Sequence, residues 1–248
     1  MRKITFNERS SSYDNLQWVK DNGLMNSMIN AIDPDINDLI LDIGTGTGVV
    51  PFHLSPFVKK IIGIDISKKM IEKAKEKEIK NLKLMEMDIF RMDFEEYKFD
   101  KVTARMVFHH LLSRENILIA LKNCYNVLKE GGSIVIVEGI PPIDDLLDWW
   151  TKMFELKEER LNFKESEIES IMKDAGYFPT ETKKFIMRRM SIRNWLDNSG
   201  VIEENKEKIY KMHLELDNNW KKVYGMEVFD SDIYCNFTFV IVKGIKQK

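Results

Sequence analysis

Two kinds of hydrophobic pattern alternate along the first half of the chain. From residue 39 to about 139, short runs of Ile, Leu and Val are separated by longer stretches whose apolar residues recur at helical spacing. Continuous apolar runs suit strands buried on both faces, and amphipathic stretches suit the helices that cover them. Strands are predicted at 39–43, 60–64, 82–87, 99–104 and 133–138, with helices at about 49–57, 68–77 and 115–128. In the last of these, Ile117, Leu121, Cys124, Tyr125 and Leu128 share one face, and Gly131-Gly132 are expected to stop it. Such alternation builds βαβ units on a parallel sheet.

The regularity changes after the fifth strand. Pro141-Pro142 break the chain, a helix rich in large apolar groups is predicted over 144–156, and a second over 166–175 ends at Gly176. Strands are predicted at 182–192 and 233–242, the latter alternating Ile233, Cys235, Phe237, Phe239 and Ile241 against Tyr234, Asn236, Thr238, Val240 and Val242. Residues 193 to 231 between them, with a helix expected over 204–223, exceed the usual connection length, and long inserts of this kind are often lids or binding elements. The first 38 residues, helical around 15–32, are a second candidate cover.

Composition narrows the function classes. Thirty-eight basic and 40 acidic residues leave a formal net charge of −2, so no bulk electrostatic drive toward nucleic acid or an anionic membrane exists. The one basic cluster, Lys183, Lys184, Arg188, Arg189 and Arg193, falls on a predicted strand that splits its charges between faces, which favours a solvated edge. Two cysteines exclude a disulfide framework and a cysteine-rich zinc site; no metal site is expected, and a reducing cytoplasm suits the chain. No secretory signal and no membrane span are expected, since the longest apolar runs have strand length. Oligomeric state is left open.

The candidate chemistry begins where the first strand runs into Asp42-Ile43-Gly44-Thr45-Gly46-Thr47-Gly48. Glycines permit a tight turn and close approach of backbone to a ligand, and the following helix offers unpaired N–H groups, so a nucleotide-like guest is expected. Asp65 ends the second strand, where a carboxylate can accept the hydroxyls of a ribose, and Asp88 follows the third. Acids at the ends of three successive strands line the edge at which open α/β sheets bind ligands. The alternative is a plain strand–helix turn with the acids as helix caps.

These residues resemble the class I S-adenosylmethionine-dependent methyltransferases, and most of all the ubiquinone/menaquinone-type and related small-molecule enzymes. The resemblance rests on DIGTGTG, on Asp65 in IIGIDIS, on MDI around Asp88, on FDKVTARMVFHHL and on LKEGGSIVIVEG, and covers about 13 to 139. It implies a Rossmann-like α/β fold: a seven-stranded, mostly parallel sheet with helices on both faces, plus helical cover elements. Residues 1–38 would be the N-terminal cover, and 39–248 the methyltransferase domain with helical inserts at about 140–163 and 193–231. The implied cofactor is S-adenosylmethionine. Asp42 and the backbone at Gly44, Thr45, Gly46 and Gly48 would hold its methionine moiety, Asp65 with Ile66 its ribose, and Asp88 beside Ile89 its adenine. Arg105 and Met106 would lie near the sulfonium, and Tyr13 would close over the methyl group.

Methyl transfer from a sulfonium is an in-line displacement, so alignment and water exclusion carry much of the rate, and a general base is optional. His109 and His110, just past the fourth strand, are the candidate bases. Glu138, at the end of the fifth, is a candidate to orient a substrate hydroxyl or amine. Trp149, Trp150, Met153 and Phe154 form either an apolar acceptor pocket or plain core. His53 and His213 are read as structural. The expected acceptor is a small, partly apolar molecule. A dinucleotide-binding oxidoreductase would need G-x-G-x-x-G, and Val49 interrupts that spacing. A non-catalytic cofactor-binding regulator and a tRNA or protein methyltransferase are the other readings. The second lacks an Asn/Asp-Pro-Pro-Tyr element after the fourth strand, and two cysteines are too few for arsenic methylation.

Overall fold

The computed structural model of the protein describes residues 12–94 and 98–247. One mixed sheet organises them. Its strands are β1 (Leu39–Ile43), β2 (Lys60–Asp65), β3 (Leu82–Glu86), β4 (Phe99–Arg105), β5 (Leu128–Ile140), β6 (Tyr177–Ser191), β7 (Glu227–Phe229) and β8 (Asp232–Lys246). They lie in the order β3-β2-β1-β4-β5-β8-β6, with β7 paired to β8. The first five run parallel, β8 pairs antiparallel with β5, and β6 pairs antiparallel with β8 and so runs in the direction of the first five. The sequence predicts seven strands; the three-residue β7 makes eight, too short for its alternation to register as a strand.

The helices are α1 (Gln17–Lys20), α2 (Asn22–Ile32), α3 (Val49–Leu54), α4 (Lys68–Lys75), α5 (Arg114–Val127), α6 (Leu147–Lys157), α7 (Glu167–Asp174), α8 (Ile192–Asp197), α9 (Glu203–Leu214) and α10 (Asn218–Val223). Among the described residues no helix is long and apolar enough to cross a membrane. Alternation along the strands sorts side chains into two cores, as a period of two requires. Ile40, Val135 and Val137 face one core, and Leu41, Ile43, Ile134 and Ile136 the other.

Several expectations need correction. The predicted helix over 204–223 is two, because Asp217 interrupts it and accepts the Asn219 N–H at 2.7 Å as a new N-cap. Helix α5 stops at Val127, not at the glycine pair: Leu128 already begins β5, and Gly131 (φ 77°) bends within that strand. The N-terminal helical stretch breaks at Asp21, whose carboxylate accepts the Leu24 N–H at 2.7 Å. It is also more than a cover, since Leu24, Met28 and Ile32 are fully buried in the first core. Residues 1–11 lie outside the described residues. The basic cluster follows the edge strand β6 up to Arg189, with Arg193 in α8; Lys183 pairs with Glu181, Lys184 with Glu165 and Arg189 with Glu227.

Candidate functional site

The turn after β1 is built on backbone that L side chains rarely adopt. Gly44, Gly46 and Gly48 have φ of 59°, 54° and 80°. A Cβ at Gly44 would also stand 2.4 Å from Val107 Cγ2, because the turn after β4 fills that space. The turn is tied to β2: Thr45 N–H donates to Ile64 O at 2.9 Å, and Gly46 N–H to Asp65 Oδ2 at 2.8 Å. Asp65 Oδ1 accepts the Ser67 N–H at 2.8 Å. Burial raises the Asp65 carboxyl, and the two amides partly offset it.

Asp42 and Asp88 differ in setting. Asp42 is 1% exposed; its Oδ1 accepts the Thr103 hydroxyl at 2.7 Å and its Oδ2 has no partner. Burial pushes this carboxyl up to about 7, with the Thr103 hydroxyl pulling the other way. Asp88 is half-buried and caps the single turn Ile89–Arg91, accepting the Phe90 N–H at 2.9 Å. The capping role weighed for it is therefore real.

After β4 the chain turns sharply. Met106 has φ 60°, and Phe108–Leu111 form a 3-10 turn. Glu138, fully buried in β5, holds this turn. Its Oε1 accepts the N–H groups of Val107 (2.9 Å), Phe108 (2.7 Å) and, at 3.4 Å, His109. Its Oε2 lies 2.6 Å from His109 Nδ1. Glu138 is thus buried beneath the site instead of facing an acceptor whose hydroxyl or amine it could orient. Inward alternation on β5 buries it, and both oxygens serve the chain itself. Burial raises it to about 7, with Arg160 and His110 opposing. His110 packs on His109, ring centres 3.8 Å apart, and burial and that neighbour hold it well below its ordinary value.

Arg105 is 8% exposed. Its Nη2 donates to Trp18 O at 2.8 Å, its guanidinium lies 5.0 Å from the Trp18 ring centre, and its Nε has no partner. Tyr13 packs edge-on against the same Trp18 at 5.6 Å, and burial raises its phenol while Arg105 opposes.

These elements open on one cavity of about 420 Å³. Of the predicted residues, Tyr13, Gly44, Gly46, Asp65, Ile66, Asp88, Ile89, Arg105, Met106, His109 and His110 line it. Asp42, Thr45, Gly48 and Glu138 are not in its wall. The aromatic helix splits: Trp150 and Phe154 line the cavity, Met153 is fully buried core, and Trp149 packs on His213 and Tyr224. His53 and His213 lie away from it; His213 Nδ1 bonds Ile209 O at 2.7 Å. Both cysteines are buried and free, and among the described residues no cluster of His, Cys, Asp and Glu is arranged to hold a metal.

The other half of the wall escaped sequence reasoning. Lys157 ends α6, and Glu158 and Arg160 follow it; Trp195 comes from α8, Tyr224 follows α10, and Phe237 and Phe239 come from β8. Lys157 and Glu158 form a buried pair at 2.8 Å. The inserts that carry Lys157 to Arg160, Trp195 and Tyr224 were expected as cover or binding elements, but no signal singled out these residues within them.

Residues 41–136 match the family model described as a methyltransferase domain. The chain is 32% identical over 113 residues to the uncharacterized methyltransferase YcgJ of Bacillus subtilis, covering 44% of each chain. It is 30% identical over 150 residues to a demethylmenaquinone methyltransferase of Porphyromonas gingivalis, covering 56% of this chain and 60% of that one. These matches thus span about half the length of the relatives. The solved structure of the Bacillus subtilis YcgJ protein superposes with a TM-score of 0.80 at 20% identity, over 92% of this chain and all of that one. A Haemonchus contortus phosphoethanolamine N-methyltransferase, solved with S-adenosylhomocysteine, gives 0.66 at 18%, over 99% of this chain and 61% of that one. Residues 41–136 therefore match a methyltransferase domain, and the chain shares its fold with these solved structures.

Proposed function

We propose that this protein transfers a methyl group from S-adenosylmethionine to a small, partly apolar molecule. The observation that carries this reading is a single cavity with a glycine turn and strand-end acids at one end and aromatic side chains at the other. Its volume falls in the usual range for small ligands, about 300–1,000 Å³.

The residues fit the cofactor on their own chemistry. Nothing stands within 3.9 Å of the Cβ position at Gly46, so ligand atoms can approach that backbone closely. Asp42 Oδ2 is a buried acceptor without a donor, suited to an ammonium reached through the turn. Asp65 suits the ribose hydroxyls and Asp88 the adenine amine. Arg105 is a cation, and beside a sulfonium it would repel; by charge it suits the carboxylate of the methionine moiety instead. S-adenosylmethionine supplies an electrophilic methyl group.

The remaining work falls to the chain. Tyr13, Leu16 and Trp18 close one side of the cavity against water. His109 and His110 stand between the cofactor end and the aromatic end, as β4 stands between β1 and β5. With Glu138 ionised, His109 Nδ1 keeps its proton and Nε2 is the basic atom. His110, held neutral near pH 7, is the other base available to a hydroxyl or acidic carbon. The relative named demethylmenaquinone methyltransferase agrees with a ring-shaped acceptor.

Thermal unfolding with S-adenosylhomocysteine, S-adenosylmethionine and NADH tests the reading. A ligand at 100 times its dissociation constant stabilises by about 2.7 kcal/mol, which is roughly 5–10 °C here. Shifts with the two sulfur nucleosides alone are expected. A shift with NADH alone, or none, overturns the assignment.

A further inference from the structure

The cavity has two ends with different chemistry. Asp65 closes β2 and Gly139 lies in β5, three strand spacings away across β1 and β4, about 14 Å. Arg160 belongs to the β5 end. Its Nη2 donates to Gly139 O at 3.2 Å, and its guanidinium lies 4.3 Å from the Phe154 ring centre.

Arg160 is a cation without an ion pair among the described residues. The nearby carboxylates are engaged elsewhere, Glu158 by Lys157 at 2.8 Å and Glu138 by His109 and three amides. Burial also depresses its pKa, with Glu158 and Glu138 only partly opposing. Its Nε has no acceptor, and neither does the indole Nε1 of Trp150, a residue 5% exposed in the same wall. A guanidinium with no close ion pair and an Nε lacking an acceptor keeps part of its donor fork available, and that planar fork matches a carboxylate. The wall of the same cavity carries Trp150, Phe154, Trp195, Tyr224, Phe237 and Phe239, which favour a flat aromatic body. A neutral quinone would offer this donor fork no anionic acceptor.

We infer that the methyl acceptor is an aromatic carboxylate whose anionic group is bound by Arg160. The inference rests on the methyltransferase reading for its reaction but not for its binding site.

The test is calorimetric titration of 2-naphthoate and of its neutral isostere 2-naphthamide into the protein saturated with S-adenosylhomocysteine. At least tenfold tighter binding of the acid is expected. Arg160→Gln should abolish that preference, and Arg160→Lys, which keeps the charge but not the fork, should retain part of it. Unchanged affinity of both variants for S-adenosylhomocysteine shows that they are folded. Equal binding of acid and amide, binding of neither, or a preference that survives in Arg160→Gln overturns the inference. If S-adenosylhomocysteine itself does not bind, the methyltransferase reading fails. The same pair titrated into the ligand-free protein then decides the carboxylate site by the same criteria.

Discussion

Glu138 Oε2 lies 2.6 Å from His109 Nδ1, and both side chains are almost wholly buried. The same carboxylate anchors the backbone of Val107 and Phe108, so one side chain sets both the orientation of the imidazole and the shape of the turn that carries it. Glu138→Gln keeps one acceptor where several donors converge. Loss of a charged hydrogen-bond acceptor from such a site should cost about 1.5–3 kcal/mol of stability. Urea unfolding measures this, and a wild-type midpoint would show that the turn does not depend on the carboxylate.

Gly44→Ala should destabilise by about 1–3 kcal/mol, from left-handed backbone and from crowding against Val107. Val107→Ala in the same chain should recover part of that loss. A double-mutant cycle with no coupling would assign the whole cost to the backbone.

Asp42 makes stability depend on pH in a definite direction. Its carboxyl is raised from 3.8 to about 7 by burial, so between those values the folded chain holds a proton that the unfolded chain has lost. The stability this proton contributes is full below pH 4 and is lost as pH rises through 7. Asp42→Asn has no such loss. From pH 5 to 8 the wild type should weaken relative to Asp42→Asn, by at most about 1.4 kcal/mol per pH unit. Parallel pH profiles would mean that the carboxylate is ionised at no cost.

Asp65→Ala should weaken binding of S-adenosylhomocysteine by about 1.5–3 kcal/mol, through lost charge-assisted hydrogen bonds. It also removes the acceptor of the Gly46 N–H, so Asp65→Asn serves as the companion variant that keeps an oxygen there. Wild-type affinity in both would remove Asp65 from the ribose.

His109→Gln and His110→Gln separate the two imidazoles once an acceptor is found by labelled methyl transfer. The base should lose about 10²–10⁴-fold in kcat with cofactor affinity kept. If His110 is that base, its depressed pKa should place its acid limb in the turnover profile below that of an ordinary imidazole. Normal turnover in both variants would remove proton transfer by this pair.

The cofactor end was legible because its constraints are local. Three glycines between a strand and a helix admit few conformations, and acids at strand ends follow from where the apolar runs stop. The opposite end was not. Trp150 and Met153 sit at ordinary helical spacing, yet one faces the cavity and the other the core. Arg160 stands in no motif, and what gives it meaning is contact with Phe154 and Gly139 from other elements. Glu138 was noticed but misplaced, since its burial depends on a turn 30 residues away.

One contact outlasts its local meaning. Gly44 abuts Val107, Val107 donates to Glu138, and Glu138 grips His109, so three strands meet in one mechanically continuous relay. If binding at one end shifts this relay, thermodynamic reciprocity makes the influence on the other end mutual. The factor by which S-adenosylhomocysteine changes affinity for an acceptor mimic must equal the factor by which the mimic changes affinity for the nucleoside. In Val107→Ala, where the relay is thinned at its middle, both factors should move toward one together.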